Sequence, residues 1–332
     1  MNDRIRNETD LIQTYLAPLA HGMPGAFGLG DDAALLSLEA GIDLVISTDP
    51  IIAGVHFFAT DRADDIAWKA LAVNVSDLAA KGAEPLAYTM ALAFPEAPER
   101  AWMSAFCDGL ASAQAAFGCR LIGGDTDHTP GPLSIGVTAF GTVPRGAFVA
   151  RRGARAGDHV FVTGTIGDAA LGLALQRDPG LHADALTAGD RSFLIGRYLR
   201  PNPRLALTAV LRAHASAALD VSDGLVKDLA RLAGGLGLSM ALSDVPLSPP
   251  ARAVVAIDHQ ALLSVLAGGD DYEVLVAVPA SQVAAFRHAL LVTGVSATEL
   301  GVLQPQPGIR ILDDEGRPLG LEQTGYDHFQ GS

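Results

Sequence analysis

Arg151-Arg152-Gly153-Ala154-Arg155-Ala156-Gly157-Asp158 is basic, rich in small residues and without an apolar period. A stretch of that kind offers no face to bury, neither at the 3.6-residue spacing of a helix nor at the alternation of a strand, and it reads as a linker. On its N-terminal side the periodicity predicts a helix over 8–19, from Leu11, Ile12, Tyr15, Leu16 and Leu19, with Asn7 or Thr9 as cap. A glycine loop, Gly28-Leu29-Gly30-Asp31-Asp32, then enters a strand at Ala33–Leu36, and Leu44–Asp49 forms a second strand. A helix over 64–81, a strand over Tyr88–Phe94 and a helix over 99–117 closed by Gly118 follow. Strand Arg120–Ile122 runs into Gly123-Gly124-Asp125-Thr126, and strand 133–143 ends this half. Beyond the basic stretch the pattern restarts with strand 159–163 and helices 167–176 and 204–215. Strand 217–221 leads to helix 224–234 with Ser222 as cap, then come helix 259–267, strand 272–278, helix 281–293 and two short strands. Both halves mix strands and helices, so the expected fold is α+β in two domains, 1–150 and 151–332, rather than one doubly wound sheet.

Composition agrees with two folded domains. The chain has 332 residues, 49% of them apolar and 18% charged, against roughly 150 residues for an ordinary domain. Its charge is −14, from 23 Lys and Arg against 37 Asp and Glu. A polyanion such as nucleic acid requires a basic stripe that this balance does not provide. The two cysteines, Cys107 and Cys119, form no Cys-x-x-Cys pair, which argues against structural zinc and a disulfide scaffold. The charged start Met1–Glu8 lacks an apolar core behind it, and no run reaches about 18 apolar residues, so neither a signal peptide nor a membrane span is expected. The expectation is a cytoplasmic protein.

The recurrent feature is an aspartate at a glycine-rich turn or a strand end: Asp31-Asp32, Asp49, Asp77, Asp125, Asp220, Asp223 and Asp270-Asp271. Any one of them is ordinary turn chemistry. Several follow apolar strands directly, as in Val45-Ile46-Ser47-Thr48-Asp49, and strand ends converge where sites are built. Converged carboxylates repel unless a cation neutralises them, and hard oxygen donors suit Mg²⁺ better than zinc, for which the histidines and cysteines lack ligand spacing. No Gly-x-x-x-x-Gly-Lys-Ser/Thr occurs, which excludes a P-loop. Gly28-x-Gly30-x-x-Ala33 matches a dinucleotide fingerprint only formally, because no βα unit surrounds it. Arg151 and Arg152 read equally as a phosphate clamp or as solvated linker charge. His56 reads as a strand-edge histidine or as a functional one.

Taken in order, these segments resemble the thiamine-monophosphate kinases, within the larger superfamily of aminoimidazole-ribonucleotide synthetase-like enzymes. The resemblance runs over roughly 8–329. It is carried by Gly28–Leu36, Ile46-Ser47-Thr48-Asp49, Ala53-Gly54-Val55-His56-Phe57, Lys69–Ala80, Leu121–Thr126, Asp220–Leu225, Gly268-Gly269-Asp270-Asp271-Tyr272-Glu273 and Gly325-Tyr326-Asp327-His328-Phe329. It implies direct in-line transfer of the ATP γ-phosphoryl group to thiamine phosphate, giving thiamine diphosphate. It implies that Asp32, Ser47, Thr48, Asp49, Asp77, Asp125, Asp220 and Asp223 hold several Mg²⁺ ions. Gly124, Asp125, Arg151 and Ser222 would contact ATP, with Asp77, Asp125 and Arg151 the principal catalytic groups, and His56, Asp270 and Tyr326 would contact thiamine phosphate. The family fold is two α+β domains, the first, 1–150, binding metal and ATP and pairing into a homodimer, the second, 151–332, completing the ATP and substrate site. The family usually has Glu where Asp270 stands, an apolar residue where Lys81 stands and Thr where Asp127 stands. The physics of the implied reaction is consistent: two phosphorylated molecules meet with few basic residues nearby, so bound cations must do most of the neutralising. Other readings are a synthetase of the same superfamily, a metal-dependent phosphatase and a noncatalytic metal-binding module.

Overall fold

In the computed structural model, residues 4–258, 260–313, 315–320 and 325–326 are described. The chain divides into two compact units, one made of 1–78 and 83–146, the other of 79–82 and 147–332. Each is described by itself.

The N-terminal unit begins with α1, Glu8–Leu11, capped by Asn7, whose side chain accepts the Asp10 amide at 2.8 Å. This helix continues through a π turn, Ile12–Leu16, into a 3₁₀ turn, Ala17–Ala20. β1 (Ile42–Ile52), α2 (Ala63–Ala80), β2 (Glu84–Phe94), α3 (Arg100–Phe117), β3 (Arg120–His128) and β4 (Ser134–Pro144) follow. The strands form one mixed sheet in the order β1-β4-β2-β3, with β2 and β3 parallel and the other pairs antiparallel. Burial alternates along β4: Ile135, Val137, Ala139, Gly141 and Val143 are buried, and the residues between them are half-exposed. That two-residue period gives the sheet one apolar face. α3 covers it through Phe94 against Trp102, edge to face at 5.9 Å, and through Gln114, which donates to the Tyr88 hydroxyl at 2.9 Å. α2 is buried nearly all round. Where α3 meets α2, Gly109 is required, since a Cβ there would lie 2.5 Å from the Asp64 carbonyl oxygen.

The C-terminal unit carries β5 (His159–Thr163), α4 (Asp168–Arg177), α5 (Ala188–Leu199), α6 (Thr208–His214), β6 (Ala217–Asp220), α7 (Leu225–Ala233) and β7 (Gly237–Ala241). Then come α8 (Pro249–Ile257), α9 (Ala261–Ala267), β8 (Val274–Val278), α10 (Val283–Leu290), β9 (Ala297–Val302) and β10 (Gly308–Leu312). An antiparallel sheet in the order β6-β8-β5-β9 lies at its centre, and β7 and β10 form a separate parallel pair. β8, buried at every position, sits between two apolar clusters. Lys81, where the family favours an apolar residue, donates to the Ala218 carbonyl at 2.6 Å.

Three expectations need correction. Residues 33–36 form no strand; Leu35 is 60% exposed and its amide bonds the Gly25 carbonyl at 2.8 Å, so it runs in a turn-bound loop. Gly123–Thr126 does not follow a strand but lies inside β3, paired with β2. Ser222 does not cap α7; Gly224 stands at the cap position. α5, β7 and α8 were not anticipated. α5 starts from a reciprocal Thr187–Asp190 capping box, a signal present in the sequence, while the Pro249-Pro250 pair that opens α8 reads as a loop until Ser248 is seen to cap it.

Cys107 and Cys119 are both buried and unpaired, and burial pushes each thiol up to about 12. At pH 8 only about one thiol in ten thousand would be thiolate, the reactive form. Native protein is expected to react with a disulfide reagent orders of magnitude more slowly than protein in denaturant, and rapid stoichiometric labelling of the folded chain would contradict this burial.

Candidate functional site

In the N-terminal unit the first group of acids lines a cavity of about 240 Å³. Asp31 and Asp32, from the loop after the 3₁₀ turn Pro24–Leu29, face it together with Gly124 and Asp125 of β3 and with Glu8. Among the described residues, no Lys, Arg or His lines it. Gly124 is there for steric reasons: β3 runs so close to β2 that a Cβ would sit 1.9 Å from the Met90 carbonyl oxygen. Asp125, next in the strand, accepts the amide of Thr126 at 2.9 Å. Gly124, Asp125 and Asp32 thus line one cavity.

A second group forms between β1 and α2. Ser47, Asp49 and the buried Val45 and Ile51 share one face of β1, because alternate residues of a strand point the same way. On that face the Ser47 hydroxyl donates to an Asp77 carboxylate oxygen. Thr48 points to the opposite face, where its hydroxyl bonds the Val137 carbonyl and meets the Thr138 hydroxyl, both at 3.0 Å. Strand alternation therefore separates the Thr48 hydroxyl from Ser47 and Asp49. Asn74, one turn before Asp77, is fully buried and holds the Asp49 backbone at both ends, accepting its amide at 2.8 Å and donating to its carbonyl at 3.2 Å. Asn74 lies within the Lys69–Ala80 motif, and its i, i+3 spacing to Asp77 is the signal the sequence offers for it. His56 lies in the turn after β1, and its Nδ1 accepts the Ile52 amide at 3.0 Å, which leaves the proton of a neutral ring on Nε2.

In the C-terminal unit, Ser222, Asp223, Asp270 and Tyr326 belong to one bonded cluster, and Asp220 precedes it in the chain. Asp220 ends β6 and is buried. The Asp270 amide donates to the Ser222 carbonyl and the Tyr326 amide to the Asp223 carbonyl, both at 2.9 Å. Lys227 donates to the Tyr326 carbonyl, so the tail is tied down through its main chain while the ring stays 41% exposed. Asp327-His328-Phe329, the rest of that motif, lies outside the described residues. The Asp223 carboxylate meets Lys227 at 3.0 Å and Arg231 at 2.7 Å. Asp228, in the first turn of α7, reaches back to accept the amides of Ser222 and Asp223 at 3.1 and 2.8 Å and receives Arg231 at 2.7 Å. Burial, the largest influence on it, pushes Asp228 up to about 6. Arg151 stands apart from these bonds, in a cavity of about 800 Å³ that it lines with Arg152, Arg155 and Arg231. Arg231 thus touches both the cavity and Asp223.

All the donors named for a metal are carboxylate or hydroxyl oxygens, the chemistry that suits Mg²⁺. Among the described residues no three Asp, Glu, His or Cys side chains stand close enough together to hold an ion by themselves.

Replacing Asn74 by Leu, similar in volume but without polar ends, deprives the Asp49 amide and carbonyl of their buried partner. A loss of about 1–3 kcal/mol is expected, read from a lower urea midpoint at unchanged slope.

Comparisons with known proteins place the chain. The AIR synthase related protein N-terminal domain matches residues 30–143, and the corresponding C-terminal domain matches 155–314. A thiamine-monophosphate kinase of Caulobacter vibrioides is 40% identical over 326 residues, 97% of this chain and 90% of that protein. Among solved structures, thiamine-monophosphate kinase from Stenotrophomonas maltophilia is 41% identical with a TM-score of 0.78, covering 87% of this chain and 90% of that one. AaThiL complexed with AMPPCP and TMP is 30% identical with a TM-score of 0.75, covering 98% and 99%. The chain belongs to the AIR synthase related family and, within it, to the thiamine-monophosphate kinases.

Proposed function

We propose that the protein transfers the γ-phosphoryl group of ATP to the phosphate of thiamine phosphate, giving ADP and thiamine diphosphate, with several Mg²⁺ ions bound at its carboxylates. The observation that carries this reading is the cavity where Asp31, Asp32 and Asp125 meet Gly124 with no basic residue in the lining. Such a site repels bare phosphates and accepts them with divalent cations. Asp32, Ser47, Asp49, Asp77, Asp125, Asp220 and Asp223 would supply the protein oxygens; the Thr48 hydroxyl, assigned with them, lies on the other face of β1, bonded to the Val137 carbonyl. These residues would hold the ions, whose chemistry would be to offset charge on the transferring phosphoryl group.

The protein's part is positioning. Asn74 fixes the backbone of Asp49, and Ser47 orients the Asp77 carboxylate. Gly124, in the cavity wall beside Asp125, is assigned to ATP. Arg151, in its arginine-lined cavity, is assigned to ATP, as is Ser222; Arg151 then stabilises charge on the nucleotide phosphates, which makes Asp77, Asp125 and Arg151 the principal catalytic groups. The acceptor is a phosphate oxygen already ionised near neutral pH, so no strong general base is needed. His56, Asp270 and Tyr326 are assigned to thiamine phosphate, whose thiazolium cation suits a carboxylate and an aromatic face. The protein is proposed to act as a homodimer, for which the exposed Leu44 and Ile46 on edge strand β1 offer an apolar surface, and in the cytoplasm, where unpaired Cys107 and Cys119 stay reduced.

Purified protein with ATP, Mg²⁺ and thiamine phosphate should form thiamine diphosphate and ADP one for one, and none after chelation by EDTA. Inorganic phosphate released without thiamine diphosphate would point to a phosphatase instead. Asp77→Asn is expected to lower kcat by at least about 100-fold with an unchanged circular dichroism spectrum, because it removes charge where developing charge must be offset. For Tyr326, whose main chain holds the tail and whose ring is exposed, Ala should raise KM for thiamine phosphate about 2- to 30-fold. Phe should stay near wild type, because stacking survives the loss of the hydroxyl; a fall in Tm for Ala without a change in KM would make Tyr326 a packing residue.

A further inference from the structure

Asp270 and Tyr272 both have positive φ, +61° and +50°, in a segment where neither is glycine. Side chains with a Cβ rarely adopt this conformation, and it persists only where surrounding structure imposes it. Here the imposing structure is buried and ionic. Between the two strained residues, the Asp271 carboxylate is 2% exposed and accepts the Gly167 amide with both oxygens, at 3.0 and 2.9 Å. Immediately after them, Glu273 is fully buried and receives Arg204 Nε at 2.6 Å and the Thr163 hydroxyl at 2.7 Å. Arg197 joins the two anchors: its Nη2 donates to the Asp271 carbonyl at 3.3 Å and to Glu273 Oε1 at 2.8 Å. On the other side of the strained pair, the Asp270 and Tyr272 amides are taken by the carbonyls of Ser222 and Val221, both at 2.9 Å. The Tyr272 hydroxyl donates to the Asp270 carboxylate at 3.2 Å.

We infer that Arg197 is a positioning residue for substrate recognition: by clamping the Asp271 carbonyl and Glu273 together it imposes the backbone that aims the Asp270 carboxylate at thiamine phosphate. The inference rests on the assignment of Asp270 to that substrate. Asp270 is one methylene shorter than the Glu usual in the family, so its reach depends more heavily on where its backbone is held. Both bonds leave one nitrogen, Nη2; lysine at position 197 would keep a positive charge beside Glu273, but its ammonium sits one bond nearer the main chain and falls short of the point from which Nη2 reaches both acceptors.

Steady-state kinetics of Arg197→Lys, Asp270→Ala and the double variant test it. Arg197→Lys is expected to raise KM for thiamine phosphate about 5- to 30-fold while KM for ATP stays within about twofold. In the Asp270→Ala background the same change should move KM for thiamine phosphate less than about twofold, because the group it positions is gone. An unchanged KM in Arg197→Lys, an equal rise for both substrates, or a rise undiminished without Asp270 overturns the inference. A wild-type KM in Asp270→Ala overturns the assignment of Asp270 itself, and the inference with it. A measurement that leaves Arg197 intact compares Asp270→Gly with Asp270→Ala. Both lack the carboxylate, and only glycine relieves the positive φ, so Gly should have the higher Tm. Equal values would mean that no strain is held there.

Discussion

Carboxylates gathered at turns and strand ends repel one another, and the rest of this structure is arranged around how that repulsion is met. The C-terminal unit meets it with its own cations. Asp223 has Lys227 and Arg231, Asp228 has Arg231 and two backbone amides, and Glu273 has Arg197 and Arg204. The N-terminal unit gives Asp31, Asp32 and Asp125 no basic neighbour in the cavity they line. All three are exposed, where water screens them, and a cationic partner brought by a ligand can take the water's place. A magnesium-bound nucleotide is such a partner, and membership of the thiamine-monophosphate kinases gives that partner a reaction.

The backbone is shaped to the same end. Gly124 lets β3 lie against the Met90 carbonyl, which brings Asp125 to the cavity wall. Asn74 spends its amide group on the Asp49 main chain, so the backbone that carries the Asp49 carboxylate is held by a buried bidentate clamp. In the C-terminal unit, Asp228 plays the corresponding part for Ser222 and Asp223 by accepting both of their amides. In each case the group that holds the backbone is a neighbour of the motif that carries the chemistry, not a member of it.

Local chemistry was readable from residue order. The aspartates in glycine turns, the absence of a P-loop, the αL glycine after α3 and strand β5 are set by nearest-neighbour propensities and by apolar period, which a sequence displays directly. The motifs in their order also sufficed to reach the family, since Asp220-Val221-Ser222-Asp223 and Gly268-Gly269-Asp270-Asp271 appear as written. The reading went astray where pairing partners decide: Leu35 and Leu36 look like a strand but have no ladder to join, and Gly123–Thr126 looks like a loop but pairs with β2.

Tertiary structure decided which residues of a motif share a face and who holds them. Ser47-Thr48-Asp49 is one motif in the sequence, yet the pleat sends the Thr48 hydroxyl to Thr138 and Val137 and leaves Ser47 and Asp49 together. Glu273 and Arg204 are 69 positions apart, and Gly167 and Asp271 are 104 apart, distances over which no propensity or period carries information. The sequence by itself determined the chemical types of the site and their order along the chain, because those are covalent and local. Only the fold decided that Arg197 and Arg204 stand beneath the Asp270 turn, because long-range burial and ion pairing are settled by which elements pack together.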